Sequence, residues 1–139
     1  MQNTIWNENE NPNIISSTRL YFADLFVGAK RMSRKDFWWG ILGFSVVMGL
    51  AMWLLFLLIT RIIPVDDYLT SLFFGLILVA IDGFYLIGLL NAVIRRLHDI
   101  NFNAWWALLL LIPTIGFIIL VVLLCLPQNE KSRYPKLID

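Results

Sequence analysis

The sequence predicts an all-α integral membrane protein. An interfacial N-terminal helix precedes three hydrophobic helical segments, the last interrupted by proline and glycine and open to two foldings. Three observations predict this. Of 139 residues, 59% are apolar and 15% charged, and the mean hydropathy is +0.73. A soluble domain of this size rarely carries so much apolar surface with so few charges. The apolar residues gather in three runs, 37–60, 69–94 and 104–126, each long enough to cross a hydrocarbon core of about 30 Å at about 1.5 Å per residue. Tryptophan pairs, Trp38-Trp39 and Trp105-Trp106, open the first and third runs, where indole rings favour the headgroup boundary.

Residues 1–13 are polar and rich in asparagine. They have little to bury and are expected to be a disordered tail. The first long apolar run lies behind this polar leader and exceeds a signal h-region, so no cleavable signal is expected. A single helical membrane domain, 14–127, follows. In its first stretch, about 14–31, Tyr21, Phe22, Leu25, Phe26 and Ala29 stand at i, i+1, i+4, i+5 and i+8. On a helix they fill one arc of about 140°, and Asp24 and Gly28 fall outside it. The stretch is too polar to span. It reads as a helix lying in the interface, or as a surface helix packed on the rest of the chain.

Ser33 and Asp36 have the spacing of a capping box, with Met32 and Phe37 placed as a hydrophobic staple. They start the segment at about 37–60. Arg31, Ser33, Arg34, Trp38 and Trp39 are the expected interface anchors. Ser45 and Gly49 form a small-xxx-small step at which a second helix can pack. A short loop with Pro64, Asp66 and Asp67 leads to the second segment, about 69–94.

That segment holds Asp82 near its midpoint. A charged carboxylate at the centre of a bilayer costs about 2.5–3.5 kcal/mol on the mildest scale, so Asp82 should face another helix or a wet cavity. Asp82 and Tyr85 form the candidate intramembrane polar site. One reading pairs the carboxyl with Tyr85, Ser45 or a group on a second copy. The other makes it a proton or cation site.

Arg95, Arg96, His98 and Asp99, with Trp105 and Trp106, form a polar corner between the second and third runs. Asp99 stands at i+4 from Arg95 and i+3 from Arg96, so it can lock either one and fix the turn. The arginines can instead form a pocket for an anionic lipid headgroup. A His98–Asp99 acid–base pair is geometrically poor, because neighbours on a helix diverge. Asn103 is placed to cap the third segment.

The third segment, about 104–126, contains Pro113-Thr114-Ile115-Gly116. The leading expectation is one span kinked at Pro113. The alternative is a re-entrant hairpin of two half-helices. With the N-terminus in the cytoplasm, Arg19, Lys30, Arg31, Arg34, Lys35, Arg95 and Arg96 lie inside. A third span then puts Lys131, Arg133 and Lys136 outside, against the positive-inside bias, and a hairpin returns them. Residues 128–139 are a polar tail in either case. Cys125 has no disulfide partner in the chain and is expected to be an inert buried thiol.

The chain has one histidine and one cysteine, too few for a zinc set. It lacks a glycine-rich phosphate loop and a nucleophile elbow. No enzymatic activity, metal, cofactor or nucleic-acid partner is expected. The expected partners are membrane lipids, anionic ones first, and a second copy or another membrane protein. The expected role is that of a scaffold or partner-binding protein, with anionic-lipid sensing as an option. The alternative is a homo-oligomeric channel or transporter component using Asp82.

Three stretches carry a family likeness. They are Arg31-Met32-Ser33-Arg34 with Phe37-Trp38, Arg95-Arg96-Leu97-His98-Asp99 followed by Trp105-Trp106, and Leu124-Cys125-Leu126-Pro127 with Arg133-Tyr134. Together they resemble the domain-of-unknown-function 805 family of small bacterial inner-membrane proteins, over roughly Tyr21 to Tyr134. The chain departs from that family at Asn101 and Asn103, where glycines are usual, and at Lys30 and Pro135. Asparagine tolerates left-handed geometry, so the turn after Asp99 should survive. The resemblance implies a multi-pass protein of the bacterial inner membrane and implies no activity.

Overall fold

Asn13 starts the first helix, α1 (Ile14–Ala23). Its carboxamide accepts from Ser16 N at 2.9 Å, while the Ser16 hydroxyl accepts from Asn13 N at 3.2 Å. Both bonds of a capping box are therefore made. The computed structural model describes residues 11–62, 68–129 and 131–134. Most of the expected N-terminal tail, the Pro64-Asp66-Asp67 loop and the last residues of the C-terminal tail lie outside the described residues.

The helix is shorter than the apolar arc suggested. It ends at Ala23, and 24–33 cross over as turns and irregular chain. It packs closely on α2 (Arg34–Ile62). Tyr21 stacks on Phe44 with centroids 4.6 Å apart, and Phe22 meets the same ring edge-on at 5.1 Å. The approach depends on glycine. A Cβ at Gly40 would stand 3.0 Å from the Tyr21 ring, and one at Gly43 would overlap the Thr18 side chain.

Ser33 caps α2 as the spacing predicts, since its hydroxyl accepts from Asp36 N at 3.2 Å. Met32 and Phe37, on either side, are both buried. A second long helix, α3 (Tyr68–Asp99), follows. The two helices have 29 and 32 residues, long and apolar enough to cross a membrane. They touch where Phe44 stacks on Tyr85 at 5.4 Å and Ser45 Oγ lies 2.9 Å from Tyr85 OH. Past that point they stand apart from the rest of the chain. Trp53, Leu54, Leu72 and Leu76 are exposed, and a Cβ at Gly49, Gly75 or Gly83 would meet nothing within 4 Å. The small-residue step is thus used at Ser45 and not at Gly49.

A Schellman motif ends α3. Phe102 N donates to Leu97 O at 2.8 Å and Asn101 N to His98 O at 3.1 Å, with Asn101 at a φ of 66°. This is the position where glycine is usual and asparagine is the next choice. The hydrophobic partner of the motif is present, because Phe102 packs against the core that contains Leu97.

The third apolar segment reverses direction. A 3-10 helix, Ala104–Leu111, runs out and α4 (Ile115–Cys125) runs back. Between them Ile115 N donates to Pro113 O at 2.8 Å across Thr114, whose φ and ψ are 65° and −73°. This is a γ-turn of the positive-φ kind, a rare and strained link. Gly116 lets the arms close, since a Cβ there would run into the Leu109 carbonyl and Ile112. The arms match in reach. Eight residues of 3-10 helix at about 2.0 Å and eleven of α-helix at about 1.5 Å each extend about 16 Å, half of a hydrocarbon core. Both ends of the hairpin return to the C-terminal end of α3, where Asn129 N donates to Asp99 O at 3.1 Å. The single kinked span is therefore corrected to a hairpin. Pro113 and the left-handed Thr114 turn the chain back where a kink would only have bent it.

Candidate functional site

The last turns of α3 are the most buried part of the molecule, although they are its most charged. Arg95, Arg96, His98 and Asp99 are 1%, 0%, 7% and 0% exposed. Burial of this kind demands partners, and three separate parts of the chain supply them.

Asp99 is the centre. Its Oδ1 accepts from Arg31 Nε and Nη2, both at 3.1 Å, and its Oδ2 accepts from Arg96 Nη1. The Gln128 side chain also reaches it. Arg96 spends its other donors on α4, with Nε on Leu124 O at 3.1 Å and Nη2 on Leu126 O. These carbonyls belong to the helix end, where no intrahelical donor remains. Arg31 Nη2 also donates to Asn129 O at 2.8 Å. One carboxylate and two guanidiniums thus tie the crossover before α2, the end of α3 and the return of the hairpin into one unit.

A second group lies beside it. Asp24 accepts from Lys30 Nζ at 2.8 Å and pairs with Arg95 Nη1 at 3.6 Å. The Arg95 guanidinium lies 5.7 Å from the centre of the Tyr21 ring. Arg95 Nε and Nη2 and the Tyr21 hydroxyl are buried without a protein partner among the described residues. Burial pushes the Tyr21 hydroxyl pKa above the ordinary phenol range, and the nearby Arg95 charge opposes that shift. Further bonds close the seam. Met32 N donates to Arg95 O at 3.2 Å, Asn91 Nδ2 to Leu25 O at 2.9 Å, and Ser17 Oγ to Asp36 Oδ1 at 2.8 Å.

The tail closes over the corner. His98 and Tyr134 stack at 3.8 Å, and Ser132 Oγ donates to His98 O at 2.6 Å. Tyr134 OH donates to Asn103 Oδ1 at 2.9 Å and Arg133 N to Asn101 Oδ1 at 3.2 Å. Residues 127–129 and 131–134 are docked here, whereas the sequence suggested only a polar tail.

Several expectations change in detail. Asp99 takes Arg96, and Arg95 goes to Asp24. The other partner of Asp99 is Arg31, which the spacing placed at the interface and which is 5% exposed. His98 turns to Tyr134 and not to Asp99. Asn103 makes no side-chain cap, because its oxygen is taken by Tyr134 and Arg133. In this conformation Arg95 and Arg96 face inward, so no open path leads a lipid headgroup to them. Among the described residues the exposed cations at this end are Arg19, Arg34, Lys35, Lys131 and Arg133. Trp38, Trp39, Trp105 and Trp106 are exposed around the same end. Cys125 is exposed, which corrects the buried thiol. Asp24, Tyr21, Asn129, Ser132 and Tyr134 were not singled out from the sequence for a role in this corner. The one signal for Asp24 was an acid off the apolar arc with a lysine six residues on.

Asp82 is not part of this end. It is exposed, and no hydrogen bond or ion pair joins it to a described residue. The Tyr85 hydroxyl and Ser45, its two expected partners, bond to each other. Among the described residues no three His, Cys, Asp or Glu side chains gather as a metal-binding set. The corner joins three separate parts of the chain through buried ion pairs.

The family described as a protein of unknown function (DUF805) matches residues 25–136, which include the whole Asp99 cluster. Inner membrane protein YhaI of Escherichia coli (strain K12) is 34% identical over 107 residues, covering 74% of this chain and 77% of YhaI. Inner membrane protein YhaH of the same organism is 49% identical over 47 residues, covering 31% of this chain and 39% of YhaH. The chain therefore spans about two fifths of the length of YhaH. No solved structure matches.

Proposed function

The chain belongs to the DUF805 family of proteins of unknown function, and from that membership we propose that it is a multi-pass inner-membrane protein whose packed end is a cytoplasmic platform. The platform docks or scaffolds another membrane protein and rests on anionic lipid. The relatives carry the name inner membrane protein, and α2 and α3 are the two spans.

The observation that carries the reading is the asymmetry of charge and packing. Every buried ion pair lies at one end among the described residues, braced by the hairpin and ringed by exposed cations and tryptophans. On the far side the described cation is Arg61, in the last turn of α2. A cytoplasmic N-terminus puts the basic end inside, as the positive-inside bias favours. The hairpin returns Lys131 and Arg133 to that side. Each cation near an anionic leaflet is worth about 1 kcal/mol, so the rim holds the platform to lipid while the ion pairs keep it rigid.

The test is native mass spectrometry of lipid retained by the full chain. Replacing the rim cations together (R34Q, K35Q, K131Q and R133Q) should lose most co-purified anionic lipid. Unchanged retention would sink the lipid contact. A C-terminal reporter active only in the periplasm should stay silent, and activity there would overturn the topology.

A second reading rests on the unpartnered Asp82: a homo-oligomeric channel or transporter component. Proton or cation flux through liposomes that is present in the parent and lost in D82N, with assembly intact, favours it. Absence of flux from both leaves the platform.

A further inference from the structure

We infer that the apolar crevice between α2, α3 and the hairpin seats one acyl chain of an anionic phospholipid, whose headgroup meets Arg34 at the mouth. The inference rests on the reading of this end as a lipid-contacting platform and gives that contact one defined seat.

The crevice holds about 180 Å³, and every residue lining it is apolar or aromatic. Phe37, Val93, Leu120 and Leu124 are buried and form its wall toward the protein. Trp38 and Phe117 are 41% and 57% exposed and form its edge toward the bilayer. Along α4 the lining runs from Phe117 to Leu124, about 10 Å at about 1.5 Å per residue. The crevice is thus a slot running with the helices, as the acyl chains of the leaflet do.

Size selects the occupant. An apolar cavity of about 150 Å³ stays dry and takes apolar guests. Left unfilled, its lining forfeits dispersion contacts, and inside a bilayer no water-driven force closes the gap. One turn of helix, about 10 Å across and about 5.4 Å long, fills about 400 Å³, well over the volume of the slot. A partner helix therefore does not enter, whereas a single flexible chain does, and the leaflet supplies such chains at the open edge.

Charge selects the headgroup. Arg34 stands three residues before Phe37 and four before Trp38, hence on the same face of α2 and one turn nearer the boundary. Its Nη1 donates to Cys125 O at 3.4 Å, and Cys125 follows Leu124 of the lining. The guanidinium is therefore held across the gap between α2 and α4, at the headgroup end of the slot. Arg34 is exposed, and its other donors have no hydrogen-bond partner among the described residues. A guanidinium matches two phosphate oxygens at once, and Lys35 is exposed beside it.

The experiment reconstitutes the full chain in phosphatidylethanolamine vesicles that contain phosphatidylglycerol with a photoreactive acyl chain. Label should concentrate at Leu89, Leu110 and Val121. Label spread evenly over exposed Leu54, Leu72 and Leu76 overturns the seat. In native mass spectrometry the parent should retain one phosphatidylglycerol in the slot. V121F fills the slot and should cut that retention roughly tenfold, as overpacking does. V122F adds the same bulk at an exposed position of α4 and should leave retention intact. R34Q should keep one lipid but lower the preference for phosphatidylglycerol over phosphatidylethanolamine about fivefold, the worth of one cation at the leaflet. Unchanged retention in V121F, equal loss in V122F, an unchanged headgroup preference in R34Q, or a retained mass that is not a phospholipid overturns the inference. Replacing K35Q, K131Q and R133Q together strips the rim and should leave the slot lipid, and its loss there overturns the seat. Persistence of the other anionic lipid in that variant counts against the platform contact alone.

Discussion

The two ends of the long helices obey different rules. At the C-terminal end of α3, charged side chains are buried, each held by partners from distant parts of the chain. Toward the other end of α2 and α3 the large apolar side chains are exposed, as at Trp53, Leu54, Leu72 and Leu76. In water the two patterns would be exchanged. In a membrane they fit, because hydrocarbon covers apolar helices without help, whereas a shell of charge at the boundary needs a protein interior to order it. The family signature sits at the end where the protein, not the lipid, does the packing.

The largest test of this contrast is D99N. It leaves Arg31 and Arg96 buried with a neutral partner, and removal of one member of such a group costs about 3–5 kcal/mol. Thermal unfolding in detergent should show a much less stable protein, with the segment after Pro127 becoming protease-sensitive. G116A comes next. The added methyl meets the Leu109 carbonyl, and overpacking of this kind costs about 1–3 kcal/mol. It should act on the hairpin alone, read as faster hydrogen exchange over 104–126 with α1 unchanged. The smallest effect belongs to L76A. Leu76 is 61% exposed on the bare part of α3, and surface changes away from special features stay within about 0.5 kcal/mol. If L76A were as costly as D99N, the spans would not be bare and the contrast would fail.

Local chemistry was legible in the sequence, and partner choice was not. The Ser33 cap needs three residues of spacing, and the left-handed Asn101 needs only a residue type. Both are readable from the string. Asp99 and Arg31 are 68 positions apart, and no periodicity links them. The i, i+4 spacing allowed Arg95–Asp99, but Asp24, just after the end of α1, competed for the same guanidinium, and distance along the chain hid it. The apolar arc to Ala29 overstated α1, because Leu25 can bury its side chain from a turn as well as from a helix. At Pro113–Gly116 the break itself was plain. Its outcome depended on whether the C-terminal carbonyls of α4 found donors, and the donor is Arg96, 28 residues earlier.

The hairpin also sets the outline of the molecule. Four helical cross-sections, α2, α3 and two short arms, stand side by side at one end with α1 against them, and two continue to the other. In a bilayer such a body displaces about twice as much lipid area from one leaflet as from the other. It is a wedge, broad on the side of the basic rim.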